Sequence, residues 1–281
     1  MLELPSASAG AGARLHVKTW LPDGDPRGGV VLAHGYAEHL GRYQHVAKFL
    51  NARGLAVFAI DHWGHGKSDG TPGFVPRFSA FTDGMAALLA RIEGGYPGLP
   101  LILLGHSMGG LIATLHLAAD QSHYAGAVLS GPLILPADPP SRFLQWVTRL
   151  LSRIAPRLGV VALDSAAVSR DPAVVAAYLA DPLVYNGKVR ARLAAEMFAA
   201  MEAARAAAPE ITLPMLLLHG EADRLTAPEG SRYLAEHLGS PDKTLKLYPG
   251  LYHEIFNEPE QAQVLGDMAD WIDAHLTETV Q

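Results

Sequence analysis

The chain has 281 residues, of which 49% are hydrophobic, so it is long enough for one large domain or for a core domain with an insertion. Its net charge of −6 indicates no basic surface, which excludes nucleic acid as an expected partner. It contains no cysteine, so disulfides, thiolate catalysis and cysteine-ligated metals are excluded.

The sequence also shows no targeting or membrane-spanning pattern. Residues 1–10 carry no basic region and no sustained apolar run, so we expect no secretory signal. No stretch approaches the roughly 20 apolar residues that a membrane-spanning helix needs. Together with the absence of cysteine, these features predict a cytoplasmic protein whose contact with a membrane is peripheral. The oligomeric state has no signature in the sequence.

Short aliphatic strands alternate with helical patterns over most of the chain. The predicted strands cover residues 14–20, 29–33, 55–60, 101–104, 125–130, 215–219 and 244–248, and the predicted helices cover 43–50, 78–92, 111–118, 230–238 and 261–276. This alternation predicts an α/β fold with a mostly parallel central sheet flanked by helices. In such sheets, ligands bind at the carboxyl ends of the strands.

The rhythm changes between residues 131 and 210, where no strand-like run is found. Helical spacing covers residues 141–154, 171–179 and 190–207 instead. We interpret residues 131–210 as a helical cap inserted into a core formed by residues 1–130 and 211–281. The alternative is that these helices are ordinary parts of the core.

One short turn has the pattern of a catalytic nucleophile. The sequence Gly105-His-Ser-Met-Gly109 joins a predicted aliphatic strand to a predicted helix. A G-x-S-x-G turn in this context presents its serine above the sheet edge, and the two glycines leave room for the cramped backbone. We therefore predict that Ser107 is a nucleophile, the alternative being a structural serine in a glycine-rich turn.

A serine hydroxyl needs a base, and the base needs an acid that orients it. In a hydrolase of this strand order the acid follows the strand after the insertion, and the base lies in the loop after the last strand. Asp223 and His253 occupy these positions. Glu221 is a possible substitute for Asp223, and the chain has 13 histidines, so His253 is chosen by its position.

The tetrahedral intermediate of such a reaction needs two backbone donors. We predict that they are the N–H of Met108, which follows the nucleophile, and the N–H of Tyr36, in the turn after the strand 29–33. No metal or cofactor is expected. His253 and Glu254 begin a zinc-like H-E-x-x-H pattern, but Asn257 stands where the second histidine belongs, and His62 and His65 lack a clear third ligand.

Several motifs are spread along residues 14–276: His34-Gly-Tyr-Ala-Glu-His39 with Arg42-Tyr43, Asp61-His-Trp-Gly-His-Gly-Lys-Ser68, Gly105-His-Ser-Met-Gly-Gly110, Asp223-Arg224 and Tyr252-His-Glu254. Together they resemble the monoacylglycerol lipase family of serine hydrolases. The resemblance covers the chain except the divergent cap. It implies an α/β-hydrolase fold with a lipophilic cap, and cofactor-free cleavage of a monoacylglycerol to glycerol and a fatty acid.

The resemblance also implies the functional residues. It places the triad on Ser107, Asp223 and His253, and the oxyanion donors on Tyr36 and Met108, which are the residues chosen above. Tyr36 is larger than the small residue often found at that position, but its backbone N–H can still donate because it does not depend on the side chain.

We expect an apolar channel under the cap to hold the acyl chain of a monoacylglycerol or another small acyl ester. Phe143, Leu144, Val147, Met197 and Met201 are the candidate lining residues, and the alternative is that they only pack. Arginines beside the apolar stripe of residues 143–154 indicate transient contact with a membrane or micelle. A broader carboxylesterase, a lysophospholipase and a thioesterase share the same triad, and a catalytically silent ligand-binding hydrolase fold is a further alternative.

Overall fold

The structure is a computed structural model that describes residues 1–3 and 12–277. Most of the N-terminal stretch in which no secretory signal is expected, and the last four residues of the chain, lie outside the described residues. Within the described residues, no helix is both long and apolar enough to cross a membrane.

Seven strands form one central sheet in the order β11-β10-β7-β6-β4-β5-β3. β3 runs antiparallel to β5, and every other neighbouring pair is parallel, which confirms the predicted mostly parallel sheet. The strands of this sheet are β3 (Val17–Trp20), β4 (Gly28–Ala33), β5 (Leu55–Ile60), β6 (Leu101–His106), β7 (Gly126–Ser130), β10 (Met215–Gly220) and β11 (Lys243–Tyr248).

Helices cover both faces of this sheet, which is why its central strands are aliphatic and buried along their whole length. α1 (Gln44–Asn51) and α8 (Gln261–Thr277) pack on one face. α2 (Ser79–Gly95), α3 (Met108–Ala119) and α7 (Pro228–His237) pack on the other face. The α/β prediction is therefore confirmed, with helix ends close to those that the spacing indicated.

The segment between β7 and β10 holds three helices, α4 (Arg142–Ile154), α5 (Pro172–Ala180) and α6 (Ala191–Ala207). We call residues 131–210 the insert. α4 and α5 begin at side-chain caps, since Ser141 accepts a hydrogen bond from Leu144 N–H and Asp171 accepts one from Ala173 N–H. α4 packs against α6, and α6 joins the core cluster of the sheet.

Two details of the chain differ from the sequence-based expectation. The insert contains a short antiparallel pair, β8 (Gly159–Val161) with β9 (Val189–Arg190), where no strand was predicted, because so few residues leave no alternation pattern. The strand predicted over 14–20 is divided at His16 into β2 (Arg14–Leu15) and β3, and β2 pairs with β1 (Leu2–Glu3). His16 N–H donates to the Ser68 hydroxyl instead of to a strand.

Candidate active site

Ser107 stands at the turn between β6 and α3, at the carboxyl edge of the sheet. Its backbone has φ 56° and ψ −120°, a conformation that non-glycine residues rarely adopt. A Cβ on Gly109 would lie 2.0 Å from the Ala33 carbonyl oxygen, and one on Gly105 would lie 2.6 Å from the Gly109 oxygen. Both glycines are therefore required by close backbone approach, which explains the G-x-S-x-G spacing.

Asp223 and His253 come together across 30 residues of sequence. His253 Nδ1 lies 2.6 Å from Asp223 Oδ2, and both residues are buried. The other carboxylate oxygen, Oδ1, accepts from the backbone N–H groups of Leu225 and Thr226 at 2.8 and 3.0 Å. The ring of His253 and Ser107 line the same cavity, although no hydrogen bond joins the Ser107 hydroxyl to that ring among the described residues. Such contacts often form only when substrate binds.

The electrostatics of this pair suit a base and its orienting acid. Burial opposes a charge on His253, but the Asp223 carboxylate, together with Glu254 and Glu38, outweighs burial and raises the pKa of His253 above its ordinary value. Burial also opposes the charge of Asp223, yet His253 and the hydrogen bonds to the carboxylate hold the pKa of Asp223 far below its usual range. Asp223 therefore stays ionised beside the imidazole of His253.

The alternative acid, Glu221, points elsewhere. Its side chain is exposed and forms an ion pair with Arg232 at 3.7 Å. The geometry therefore favours Asp223 over Glu221 as the partner of the imidazole.

The turn after β4 lies beside Ser107, since a Cβ on Gly35 would be 3.1 Å from the Cβ of Ser107. The Gly35 N–H donates to Glu38 Oε1 at 2.6 Å, and Ala37 has a positive φ of 67°. No hydrogen bond from the Tyr36 N–H is found in the part of the chain that the structure describes. The first N–H groups of a helix have no partner inside it, and Met108 is the first residue of α3. Both predicted donors are thus placed at the edge of the nucleophile turn.

The turn carrying Tyr36 and the loop carrying His253 are linked by a buried ion network that the sequence analysis missed. Arg42 donates to Glu38 and, with two nitrogens, to Glu254; both carboxylates are buried and the Arg42 side chain is 11% exposed. The Tyr43 hydroxyl donates to Glu38 Oε1 at 2.6 Å. These residues fall within the motifs quoted for the resemblance, but Arg42 and Glu254 are 212 residues apart, so no local pattern reveals the contact.

His106 is a further neighbour of the base. Its ring centroid lies 4.7 Å from that of His253, and its Nδ1 lies 3.0 Å from the Ser130 carbonyl oxygen. Burial, assisted by the nearby His253, lowers the pKa of His106 to about 3. His106 therefore stays uncharged and packs against the base without competing for the proton.

A cavity of about 520 Å³ opens over Ser107 and His253 and extends beneath the insert. Its apolar side is lined mainly by residues of the insert, among them Leu144, Val161, Leu163, Val189, Met197, Phe198 and Met201. Its polar lining includes Glu38 and Glu254. The cavity thus combines apolar side chains that suit an alkyl chain with acidic side chains that suit hydroxyl groups.

Of the five predicted channel residues, three line this cavity: Leu144, Met197 and Met201. Phe143 and Val147 are not among the described residues that line it, which corrects the expectation for both. Phe143 is 72% exposed and stacks on Trp146. The periodicity located an apolar stripe on α4, but most of that stripe faces outward.

The histidines considered as metal ligands either bond to other side chains or pack against other rings. His253 bonds to Asp223, and Asn257 donates to Glu254 at 2.7 Å. His62 and His65 lie buried around the His34 ring. Within residues 1–3 and 12–277, no group of three or more acidic or histidine side chains is arranged to hold a metal ion.

The known proteins that match this chain in sequence and those that match it in structure both include monoacylglycerol lipases. Residues 24–260 match the family described as serine aminopeptidase, S33. The chain is 47% identical over 265 residues to the monoacylglycerol lipase of Mycolicibacterium smegmatis, a match that covers 94% of this chain and 95% of that protein. It is 38% identical over 258 residues to the monoglyceride lipase of Homo sapiens, covering 91% and 85% respectively. The crystal structure of Paleococcus ferrophilus monoacylglycerol lipase matches with a TM-score of 0.85 at 34% identity, over 93% of this chain and 99% of that one.

Proposed function

The chain belongs to the monoglyceride lipase family of α/β-hydrolases, and from this premise we propose that it cleaves the ester bond of monoacylglycerols to glycerol and a free fatty acid. The reaction passes through an acyl-enzyme on Ser107, without a cofactor. The observation that carries this proposal is the cavity, which is lined by Ser107 and His253 together with apolar side chains of the insert and the acidic side chains of Glu38 and Glu254.

In the acylation step, Ser107 Oγ attacks the ester carbonyl carbon while His253 Nε2 accepts the hydroxyl proton. Asp223 orients the imidazole through Nδ1 and stabilises the imidazolium that forms. The N–H groups of Tyr36 and Met108 donate to the developing oxyanion. His253 then gives its proton to the glycerol oxygen as the C–O bond breaks, which releases glycerol and leaves the acyl group on Ser107.

Deacylation repeats the same chemistry with water. His253 takes a proton from water, the resulting nucleophile attacks the acyl carbonyl, and the proton returns to Ser107 Oγ as the fatty acid leaves. The acyl chain lies along the apolar side chains of the insert, and residues 131–210 act as a cap over the nucleophile. The glycerol hydroxyls face Glu38 and Glu254, whose oxygens accept hydrogen bonds.

A substrate panel tests this proposal. We expect 1- and 2-monoacylglycerols to be hydrolysed with a higher kcat/KM than p-nitrophenyl or methyl esters of the same acyl chain, because only the former bring glycerol hydroxyls to the acidic side chains of the cavity. Ser107→Ala should lose about 10^6-fold in turnover. Equal rates with every leaving group would contradict the lipase assignment and favour a broader carboxylesterase, lysophospholipase or thioesterase. An inert protein that a fluorophosphonate does not label would indicate a silent ligand-binding fold.

The outer surface of the insert supports a second part of the proposal, transient contact of a cytoplasmic protein with a lipid surface. α4 exposes Phe143, Trp146, Leu150 and Ile154 while it buries Thr148 and Ser152, the reverse of a helix on a water-exposed surface. Arginines at both ends of α4 suit the polar headgroup level. Because α4 also lines the cavity through Leu144, substrate would pass from the lipid to Ser107 beside this helix.

Sedimentation with phosphatidylcholine vesicles tests the lipid contact. We expect part of the protein to sediment with the vesicles and activity on micellar substrate to exceed activity on the same substrate in monomeric form. No sedimentation and equal activity in both forms would contradict the contact, while leaving the hydrolytic proposal intact.

A further inference from the structure

The carboxylate of Asp223 receives a second imidazole besides that of His253, and we propose that His219 is a positioning residue that fixes this carboxylate for the base. The proposal rests on the proposed triad, because it concerns the acid of that triad. It adds a role that neither the motif nor the order of the three triad residues contains.

His219 lies near the end of β10, four residues before Asp223, and its side chain is fully buried. Its Nε2 lies 3.2 Å from Asp223 Oδ2 and 3.2 Å from the Thr226 carbonyl oxygen. An ionised carboxylate and a carbonyl can only accept hydrogen bonds, so Nε2 carries the hydrogen. This N–H ties the carboxylate to the backbone of the loop that follows it.

The opposite nitrogen of the same ring is also held. His219 Nδ1 lies 2.8 Å from the hydroxyl of Ser231, which is buried on α7. With the hydrogen on Nε2, the neutral ring accepts at Nδ1 from the Ser231 hydroxyl, which selects this tautomer. The ring is therefore fixed at both ends, and Asp223 is connected through it to a helix outside its own loop.

The other side-chain donor near Oδ2 cannot replace this contact. The Thr226 hydroxyl lies 2.8 Å from Asp223 Oδ2 but also 3.0 Å from the Gly131 carbonyl oxygen, and it has a single hydrogen to share between them. His219 thus supplies a directed donor to the same oxygen that His253 Nδ1 contacts. If that donor is removed, the carboxylate loses one constraint on its rotation, and the imidazole that it orients becomes less well placed.

The loss also has a defined effect on the pKa of His253. A hydrogen bond to a carboxylate disperses its charge, so removal of the His219 donor leaves Asp223 a stronger partner for the imidazolium and moves the pKa of His253 upward. The other charged side chains facing His253 are Glu254 and Glu38, and the uncharged His106 ring packs beside it. None of these changes when His219 is substituted, so a shift would report on Asp223.

A pair of amide substitutions separates donation from packing. A glutamine side chain places its amide nitrogen where Nε2 of histidine lies, whereas an asparagine amide reaches only the position of Nδ1. We therefore compare His219→Gln, His219→Asn and His219→Leu for kcat, KM, the pH profile of kcat/KM and the thermal midpoint of unfolding. Phosphonylation of Ser107 by a fluorophosphonate gives the reactivity of the nucleophile without any substrate-binding contribution.

We expect His219→Gln to keep most of the activity. His219→Asn and His219→Leu should lower kcat about 10-fold with little change in KM, which is less than the about 100-fold cost of a 1 Å misplacement. In these two variants the acid limb of the kcat/KM profile should move to higher pH, and phosphonylation of Ser107 should slow. The positioning role would be overturned if the Gln and Asn variants were both active. It would also be overturned if both were impaired without a shift in the acid limb of the kcat/KM profile. If a substitution at 219 prevents folding, Ser231→Ala should still give a smaller slowing of phosphonylation, and an unchanged rate would overturn the proposal. A wild-type protein without hydrolysis or labelling would instead contradict the proposed function itself.

Discussion

The two halves of the insert are attached to the rest of the protein in opposite ways. α4 turns its apolar side chains outward, buries the small polar residues Thr148 and Ser152, and packs on α6. The following stretch, residues 165–190, which we call the anchored segment, is tied to both catalytic loops. The difference indicates that the anchored segment maintains the geometry of the site, whereas α4 is the part for which we propose lipid contact.

The contacts of the anchored segment are specific and partly buried. Asp181 pairs with His39 at 2.9 Å, and Tyr185 N–H donates to the Ala37 carbonyl oxygen at 2.8 Å. These two contacts hold the turn that carries Tyr36. The Val168 carbonyl oxygen accepts from the N–H of Glu254 at 2.8 Å, which holds the loop that carries the base. The ring of Tyr178 lies over the Arg42 guanidinium at 4.6 Å, so the same cation joins both loops to α5.

The largest effect is expected from breaking the anchored side at Arg42. Arg42→Met leaves Glu38 and Glu254 as buried carboxylates without their cation, which should lower the free energy of unfolding by about 3–5 kcal/mol. Urea unfolding measures this change, and kcat should fall with it because both catalytic loops lose a shared support. Arg149→Met, which removes an exposed ion pair with Glu202, is the matched control and should change stability by less than about 1 kcal/mol. Equal costs for the two variants would mean that the buried network does not support the site.

On the α4 side, the effect should appear in lipid binding and not in stability. Phe143→Ser combined with Trp146→Ser removes two side chains that are 72% and 58% exposed. Binding to phosphatidylcholine vesicles should weaken by about 10- to 100-fold, since each side chain loses part of the about 1.5–3 kcal/mol available on burial. The unfolding free energy and activity on a short soluble ester should stay unchanged. Leu21→Ser, an exposed leucine next to β3, is the control, and an equal loss of vesicle binding in that variant would contradict a specific role of α4.

The pH dependence should also separate the site, which the anchored segment holds, from α4. The pKa of His253 lies above 6.5, and its protonated form cannot accept the Ser107 proton, so kcat/KM should fall about tenfold per pH unit below that pKa. α4 contains no Asp, Glu or His, and arginine stays charged, so vesicle binding should be constant over the same range. Parallel profiles of kcat/KM and vesicle binding from pH 5 to 8 make the comparison. An acid limb below 6.5 would contradict the raised pKa of His253, and vesicle binding that follows the limb would contradict the separation of the site from α4.

A smaller effect is expected at Asp181, which joins the anchored segment to the turn that carries Tyr36. Burial opposes its charge, but hydrogen bonds from His39 and the Leu183 N–H outweigh burial and lower the pKa of Asp181. A lowered carboxyl pKa stabilises the fold above the ordinary carboxyl range, and that stabilisation is lost as the pH falls through the lowered value. Asp181→Asn should therefore cost about 1 kcal/mol near pH 7 and progressively less in acid.

Urea unfolding at several pH values measures the cost at Asp181. Glu202→Gln, on the exposed face of α6, should show neither the cost nor its pH dependence. A cost at Asp181 that is the same at pH 7 and in strong acid would show that the hydrogen-bonded carboxylate of Asp181 does not contribute.

Local patterns were sufficient for the sheet, the helices and the turn around Ser107. The β6 strand, the paired glycines and α3 are adjacent in sequence, so aliphatic runs and small residues predict them together. The strand order then placed Asp223 and His253 at the same sheet edge before any contact was visible. What they do at that edge remains a proposal, although their hydrogen bond supports it.

Contacts that depend on distant residues could not be predicted in the same way. Arg42 contacts Glu254 only in the folded chain. The sequence around each of them does not distinguish it from a charged residue that is exposed to solvent. Periodicity located the apolar stripe of α4 but does not show whether that stripe faces the protein interior or the solvent. Phe143 was therefore expected in the channel, although it lies at the surface. β8 and β9 are too short to leave a pattern. His219 was treated only as the end of a strand, because its partner Ser231 lies on α7 and no sequence pattern joins the two residues.

The central claim, that His253 activates Ser107 as the nucleophile, is tested most directly by mapping fluorophosphonate labelling by mass spectrometry. We predict one adduct per chain, located on Ser107, absent in Ser107→Ala and formed far more slowly in His253→Ala. An adduct on another serine, or labelling of Ser107 at an unchanged rate without the imidazole of His253, would contradict the account.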